Sequence, residues 1–197
     1  MREYSTTILI AAVITFLVTP IVRKFASKSG AVMRIRARDI HALPTPRWGG
    51  LALWVSVAIT LLIARNLPLV EKSFSREALG IFISATFILV LGMIDDRFDL
   101  DPLTKFAGQA LAAAILVLFG VQLLWLPING ILTLPPTIGQ ILTILFVMVV
   151  INAVNFVDGL DGLAVGLVAI SSLSFFASFP LSAFSGAAAA LAAGFAV

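Results

Sequence analysis

The sequence predicts an all-α, polytopic membrane protein, and three observations carry that prediction. Of 197 residues, 60% are hydrophobic and only 12% are charged. Soluble domains carry about 25% charged residues, so this chain has too few charges to wet a globular surface. The few charges also cut the chain into apolar blocks, each near the length that crosses roughly 30 Å of hydrocarbon. Finally, the mean hydropathy is +1.11, which excludes disorder, and the absence of cysteine excludes a disulfide framework. Helices follow because each satisfies its own backbone in lipid.

The elements read in order. Tyr4 to Val22 carries no charge and lies between Glu3 and Arg23. Trp48 to Ala64 lies between Arg47 and Arg65, and Ala78 to Ile94 between Glu77 and Asp95. The run from Phe106 to Val157 has no formal charge. As one helix it would measure about 78 Å at about 1.5 Å per residue, so it must break. Pro127, Asn129-Gly130 and Pro135-Pro136 are turn formers, which gives helices near 106–124 and 138–156. Pro180 divides the last apolar stretch into helices near 163–179 and 181–197. About seven helices result. The Ala-rich stretch 187–193 reads as a tight helix-packing face.

Loop parity puts 23–47, 95–105 and 155–161 on one side. That side holds Arg23, Lys24, Lys28, Arg34, Arg36, Arg38, Arg47, Arg97 and Lys105; the other holds Arg2, Arg65, Lys72 and Arg76. The positive-inside rule makes the first set cytoplasmic and the N-terminus external. The net charge of +3 is therefore mainly a topology signal, and no nucleic-acid partner is expected. Residues 1–22 are not expected to be a cleaved signal peptide, because their start is barely basic and no A-x-A site follows. The chain stops at Val197 within an apolar helix, so residues 1–197 read as the N-terminal part of one transmembrane catalytic domain.

Three of the cytoplasmic loops carry candidate chemistry. The first ends Pro44-Thr45-Pro46-Arg47-Trp48-Gly49-Gly50. Two prolines stiffen it, and two glycines let the backbone approach a ligand. Thr45 and Arg47 can donate to phosphate oxygens; the plain alternative is a rigid turn into the next helix. His41, the lone histidine, reads as a surface residue.

The second loop places Asp95, Asp96, Asp99 and Asp101 within seven residues, followed by Lys105. Ionisable groups at a membrane boundary are costly and mark function. Adjacent carboxylates repel unless a cation sits between them, and Mg2+ is the usual one, held by one or two carboxylates plus substrate phosphates. An EF-hand is rejected, because Leu100 stands where that loop needs glycine. The alternative is a solvated acidic helix end, although acids run against the positive-inside trend.

The third loop runs Asn152-Ala-Val-Asn155-Phe-Val-Asp158-Gly-Leu-Asp161-Gly162. Asn152 and Asn155 share one helix face by spacing. Asp158-Gly and Asp161-Gly form a turn carrying two acids. The alternative is a polar turn between helices.

Taken together, P-T-P-R-x-G-G, D-D with a lysine ten residues after the first aspartate, and N-x-x-N-F-x-D-G-x-D-G-L-A resemble the polyprenyl-phosphate N-acetylhexosamine-1-phosphate transferases, of glycosyltransferase family 4 type. The third motif is the most specific, and the three span 44–164. The resemblance implies transfer of a sugar 1-phosphate, GlcNAc-1-phosphate foremost, from a UDP-N-acetylhexosamine to undecaprenyl phosphate. UMP would be released, and Mg2+, with Mn2+ as the alternative, would be required. It implies a multi-pass protein of the bacterial inner membrane, active on the cytoplasmic side, that starts cell-envelope polysaccharides such as lipopolysaccharide or teichoic acid. A homodimer is left open.

By motif, Asp95, Asp96 and Lys105 correspond to the catalytic residues and Asn155 to the metal-site asparagine. Thr45, Arg47, Asn152, Asp158 and Asp161 correspond to substrate-binding positions. The family has about ten helices, with a later metal-binding aspartate loop and a histidine-rich loop that this chain does not contain. The 197 residues alone are therefore expected to be inactive.

Three rival readings remain at this stage. The phospho-N-acetylmuramoyl-pentapeptide transferase branch usually has T-P-T-M-G-G, unlike Pro44 to Gly50 here. An intramembrane prenyltransferase would use Asp95-Asp96-x-x-Asp99 with a second acid-rich motif. A transporter or scaffold would place ionisable groups near mid-membrane, where no expected span carries one.

Overall fold

A computed structural model describes residues 2–30, 48–66, 75–128, 130–157 and 163–178. Among them run six helices and a small sheet. They are α1 (Arg2–Lys28), α2 (Gly49–Ala64), α3 (Arg76–Phe98), α4 (Pro102–Leu118), β1 (Trp125–Leu126), β2 (Leu132–Thr133), α5 (Pro136–Val157) and α6 (Leu163–Ser178). The expected helix over 181–197, with its Ala-rich face, lies outside the described residues. Three helical stretches, Thr6–Lys28, Arg76–Phe98 and Pro136–Val157, are long and apolar enough to cross a membrane. With 16 and 17 residues, α2 and α4 measure about 24–26 Å at roughly 1.5 Å per residue. That is slightly short of the hydrocarbon core. The chain is a helical membrane protein.

Two compact units divide it, and α3 contributes to both. The first comprises Met1–Ser73, Gly92–Asp99 and Val165–Val197. Its packing is inverted relative to a soluble core. Thr7, Ala11, Thr15, Val22 and Ala26 form the buried stripe of α1, at spacings of four and seven, and Ala52, Ser56, Thr60 and Ala64 that of α2. Leu9, Phe16, Leu17 and Ile21 point outward. Lipid is as apolar as leucine, so small residues that let backbones approach decide the interface. Two of the hydroxyls are satisfied within their own helices, Thr15 donating to the Ala11 carbonyl at 2.8 Å and Ser56 to Ala52 at 2.7 Å, whereas the buried Thr60 Oγ1 has no partner among the described residues.

The second unit comprises Phe74–Leu91 and Leu100–Ala164. Here α3 and α4 run antiparallel. Ser84 donates to the Ala112 carbonyl at 2.8 Å, and Arg76 to the Leu118 carbonyl at 2.9 Å. A methyl on Gly80 would fall 2.2 Å from the Phe119 Cβ, so only glycine allows that approach. Between α4 and α5 the chain makes a short antiparallel hairpin, with Trp125 opposite Thr133 and Leu126 opposite Leu132. Gly130 supplies the positive φ of 113° at its turn. The break expected at Pro127, Gly130 and Pro136 is thus real, but it is an ordered hairpin rather than a bare turn. Thr143 ties it down by accepting from the Leu123 N–H at 2.8 Å.

Most helix ends differ from the expected ones in one direction. α1 continues past Val22 to Lys28, α3 past Ile94 to Phe98, and α4 begins at Pro102 rather than Phe106. Residues 23–28, 95–98, 102–105 and 155–157 of the expected loops are therefore helical. A charged side chain ends the apolar block, yet it does not end the backbone hydrogen bonding. A helix simply continues from lipid into water. α4 does the reverse at its far end, stopping at Leu118 rather than 124 where the hairpin begins.

Candidate active site

The four carboxylates after Ile94 separate into two pairs by position. Asp95 and Asp96 are half-buried in the last turn of α3 rather than in a loop. The helix ends at Phe98, and Asp99 takes the left-handed conformation with φ 48°, which aspartate tolerates better than most residues. Its N–H donates to the Asp95 carbonyl at 2.9 Å. Asp101 is the N-cap of α4. It accepts from the Thr104 N–H at 3.0 Å and from the Thr104 hydroxyl at 2.6 Å, with Pro102 at the first helical position. Those Thr104 bonds hold the Asp101 carboxyl below the usual aspartate range. Asp99 and Asp101 thus shape the three-residue link between α3 and α4, whereas Asp95 and Asp96 belong to the last turn of α3.

Arg97 is fixed within the first unit. Its Nη1 donates to the Ser29 carbonyl, just beyond α1. At the start of α2, Trp48 is the N-cap residue, left-handed at φ 74°. Its ring lies 5.8 Å from that of Phe25. Its buried indole N–H has no acceptor among the described residues. This is the described end of the Pro44 to Gly50 motif.

In the second unit Lys105 is half-buried in the first turn of α4. One turn on, Gln109 is only 1% exposed, among the largest fully buried side chains. It meets Asn152 of α5. The Asn152 amide donates to Gln109 Oε1 at 2.6 Å, the Gln109 amide lies 3.5 Å from Asn152 Oδ1, and Asn152 also donates to the Met148 carbonyl at 2.8 Å. The two helices are antiparallel. Lys105, four residues before Gln109, and Asn155, three after Asn152, therefore both lie about one turn beyond this clasp, toward the same end. Asn155 is exposed there. Sequence reading named Asn152 but missed Gln109.

Thr45, Arg47, Asp158 and Asp161 lie outside the described residues, as does His41. No group of three His, Cys, Asp or Glu able to hold a metal occurs among the described residues. Asp95, Asp96 and Asp99 therefore do not form the three-acid cluster that a prenyltransferase reading needs. Asn155 presents an exposed amide oxygen near the C-terminus of α5, where the helix dipole is negative. That chemistry suits a hard cation such as Mg2+.

Acids, an asparagine amide and a lysine thus stand near helix ends of a membrane-embedded helical protein. The comparisons define the class further. The glycosyl transferase family 4 model matches residues 78–197, and the chain belongs to that family. It is 44% identical over 138 residues to a decaprenyl-phosphate N-acetylglucosaminephosphotransferase of Mycolicibacterium smegmatis, covering 68% of this chain and 34% of that protein. It is 34% identical over 115 residues to a probable undecaprenyl-phosphate N-acetylglucosaminyl 1-phosphate transferase of Bacillus subtilis, covering 58% and 30%. A third relative, an undecaprenyl-phosphate alpha-N-acetylglucosaminyl 1-phosphate transferase of Pasteurella multocida, is 32% identical over 105 residues, covering 53% and 28%. The chain spans about a third of the length of these relatives. Family membership sets aside the prenyltransferase and scaffold readings.

Proposed function

We propose that the protein carrying this chain transfers GlcNAc 1-phosphate from UDP-GlcNAc to a polyprenyl phosphate, undecaprenyl or decaprenyl, and releases UMP. One observation carries this reading. The family match spans every candidate acid, amide and lysine from Asp95 to Asp161, and the relatives' names specify GlcNAc phosphate and prenyl phosphate. The pentapeptide-transferase alternative lacks that support.

In this mechanism an oxygen of the lipid phosphate attacks the sugar-bearing phosphorus of the donor. The bond from that phosphorus to the bridging oxygen breaks, and UMP leaves. Both reactants are anionic, so charge neutralisation is the main catalytic demand. Lys105 would neutralise charge on the diphosphate. Asp95 or Asp96 would orient the lipid phosphate or take its remaining proton. Strong base catalysis is not required, since a phosphate monoester with a second pKa of about 6 is mostly dianionic at neutral pH. Asn155 would help to hold a Mg2+ ion, which would supply charge neutralisation for the donor's phosphates. Asp158, Asp161, Thr45 and Arg47 would contact substrate, and Asn152 would act through its amide pair with Gln109 rather than by touching substrate. The excess of Lys and Arg on the side of these loops supports a cytoplasmic face for this chemistry.

The test is UMP release by the full-length protein with Mg2+, each polyprenyl phosphate and a panel of UDP-sugars. UDP-GlcNAc should give the highest rate. No UMP with any donor would defeat the reading.

A further inference from the structure

We propose that Gln109 is a positioning residue, whose amide pair with Asn152 sets how Lys105 and Asn155 face the substrate. The inference rests on the transferase reading and deepens it.

Three observations lead there. First, Gln109 is buried to 1% exposure in a stretch whose neighbours are Ala112 and Ala113, both fully buried. An amide in such surroundings is costly unless paired. Second, its partner is specific: Asn152 donates to Gln109 Oε1 at 2.6 Å and anchors itself on the Met148 carbonyl. The amides of both side chains are thereby directed, and neither α4 nor α5 can slide or rotate without breaking a bond inside an apolar medium. Third, the clasp lies about one helical turn from both Lys105 and Asn155, on the same antiparallel pair. A slip of α5 against α4 would move Asn155 directly relative to Lys105. Displacements of about 1 Å near a reacting centre cost about 100-fold in rate, so a fixed register is worth a buried amide pair. Small residues alone would pack the helices but would not index them, since alanine faces offer neighbouring registers of similar energy. The Gln109 clasp supplies that index.

Two readouts on the full-length protein test this. Gln109→Leu and Asn152→Leu should each lower kcat by about 10- to 100-fold, while KM for the UDP-sugar stays within about threefold. The double variant should lose no more than either single one, because the pair acts as a unit. The swap Gln109→Asn with Asn152→Gln keeps two amides and the same summed length, and it should restore most of the rate.

The second readout needs no activity. Spin labels on cysteines introduced at the exposed positions Leu103 and Phe156, with any cysteine beyond residue 197 replaced, report the α4–α5 register directly. The distance distribution should broaden or shift in Gln109→Leu, without metal or substrate, and narrow again in the swap. An unchanged distribution with wild-type kcat would overturn the proposal, as would additive losses that the swap fails to repair. Should the wild type release no UMP, the transferase reading fails, while the label distances still decide whether Gln109 indexes the helices.

Discussion

Asn152 and Gln109 meet through their amides across two antiparallel membrane helices, at 2.6 Å in one direction and 3.5 Å in the other. This pair changes how the third motif is read. Asn152 looks toward a neighbouring helix, whereas Asn155, three residues later, is exposed. The two asparagines, three residues apart, therefore have different surroundings, one bonded to Gln109 and one exposed.

The carboxylates should divide in the same way. Asp95→Asn and Asp96→Asn should each lower UMP release by the full-length protein by about 100-fold or more, the usual scale for a lost catalytic acid or base. Asp99→Asn and Asp99→Gly should stay near wild type, since both residues accept the left-handed conformation. Rates for the four variants, measured side by side, check the assignment. Equal losses at Asp95 and Asp99 would contradict it.

Asp101 should matter for folding instead. Asp101→Ala removes the acceptor for the Thr104 N–H and should lower the thermal midpoint by a few degrees with activity largely kept. Asp101→Asn still caps and should fall less. The pH dependence has a defined sign. The folded carboxyl titrates below its ordinary range, so its contribution is complete above the unfolded aspartate range. It is lost as pH falls through the lower folded value. The acid side of a stability profile should therefore be steeper in wild type than in Asp101→Asn.

Close helix approach predicts a contrast among glycines. A Cβ on Gly139 would sit 2.4 Å from the Leu123 carbonyl oxygen, whereas one on Gly92 meets nothing within 4 Å. Gly139→Ala should destabilise by about 1–3 kcal/mol through overpacking. Gly92→Ala should be neutral or slightly stabilising. Detergent-resistant fraction on heating distinguishes them.

Lys105→Met should cut kcat by about 100-fold or more, the scale of one lost oxyanion donor. Donor binding should weaken less. A KM effect without a kcat effect would move Lys105 from transition-state stabilisation to simple substrate attraction.

Much of this was legible in the residues. Charge spacing located the apolar blocks, and Pro127, Gly130 and Pro136 marked the break between α4 and α5. Helix ends were misplaced because a charge marks where lipid stops, not where backbone bonding stops, as Lys28 and Arg97 show. The hairpin was hidden because its strands are two residues each, too short for alternation to appear. The parts of Asp99 and Asp101 were not legible, because a capping carboxylate and a metal-binding one are the same residue type. Gln109 left one signal that went unread: a lone amide four residues after Lys105, inside an apolar run, must have a partner. Which partner it has depends on the fold.

The central claim is that a sugar 1-phosphate moves as a unit. The most direct measurement uses UDP-GlcNAc labelled with 32P at the sugar-linked phosphorus, incubated with the full-length protein, Mg2+ and polyprenyl phosphate. The label should pass to the lipid fraction in equal amount with unlabelled UMP. Label retained in released UDP, with sugar alone on the lipid, would contradict the account.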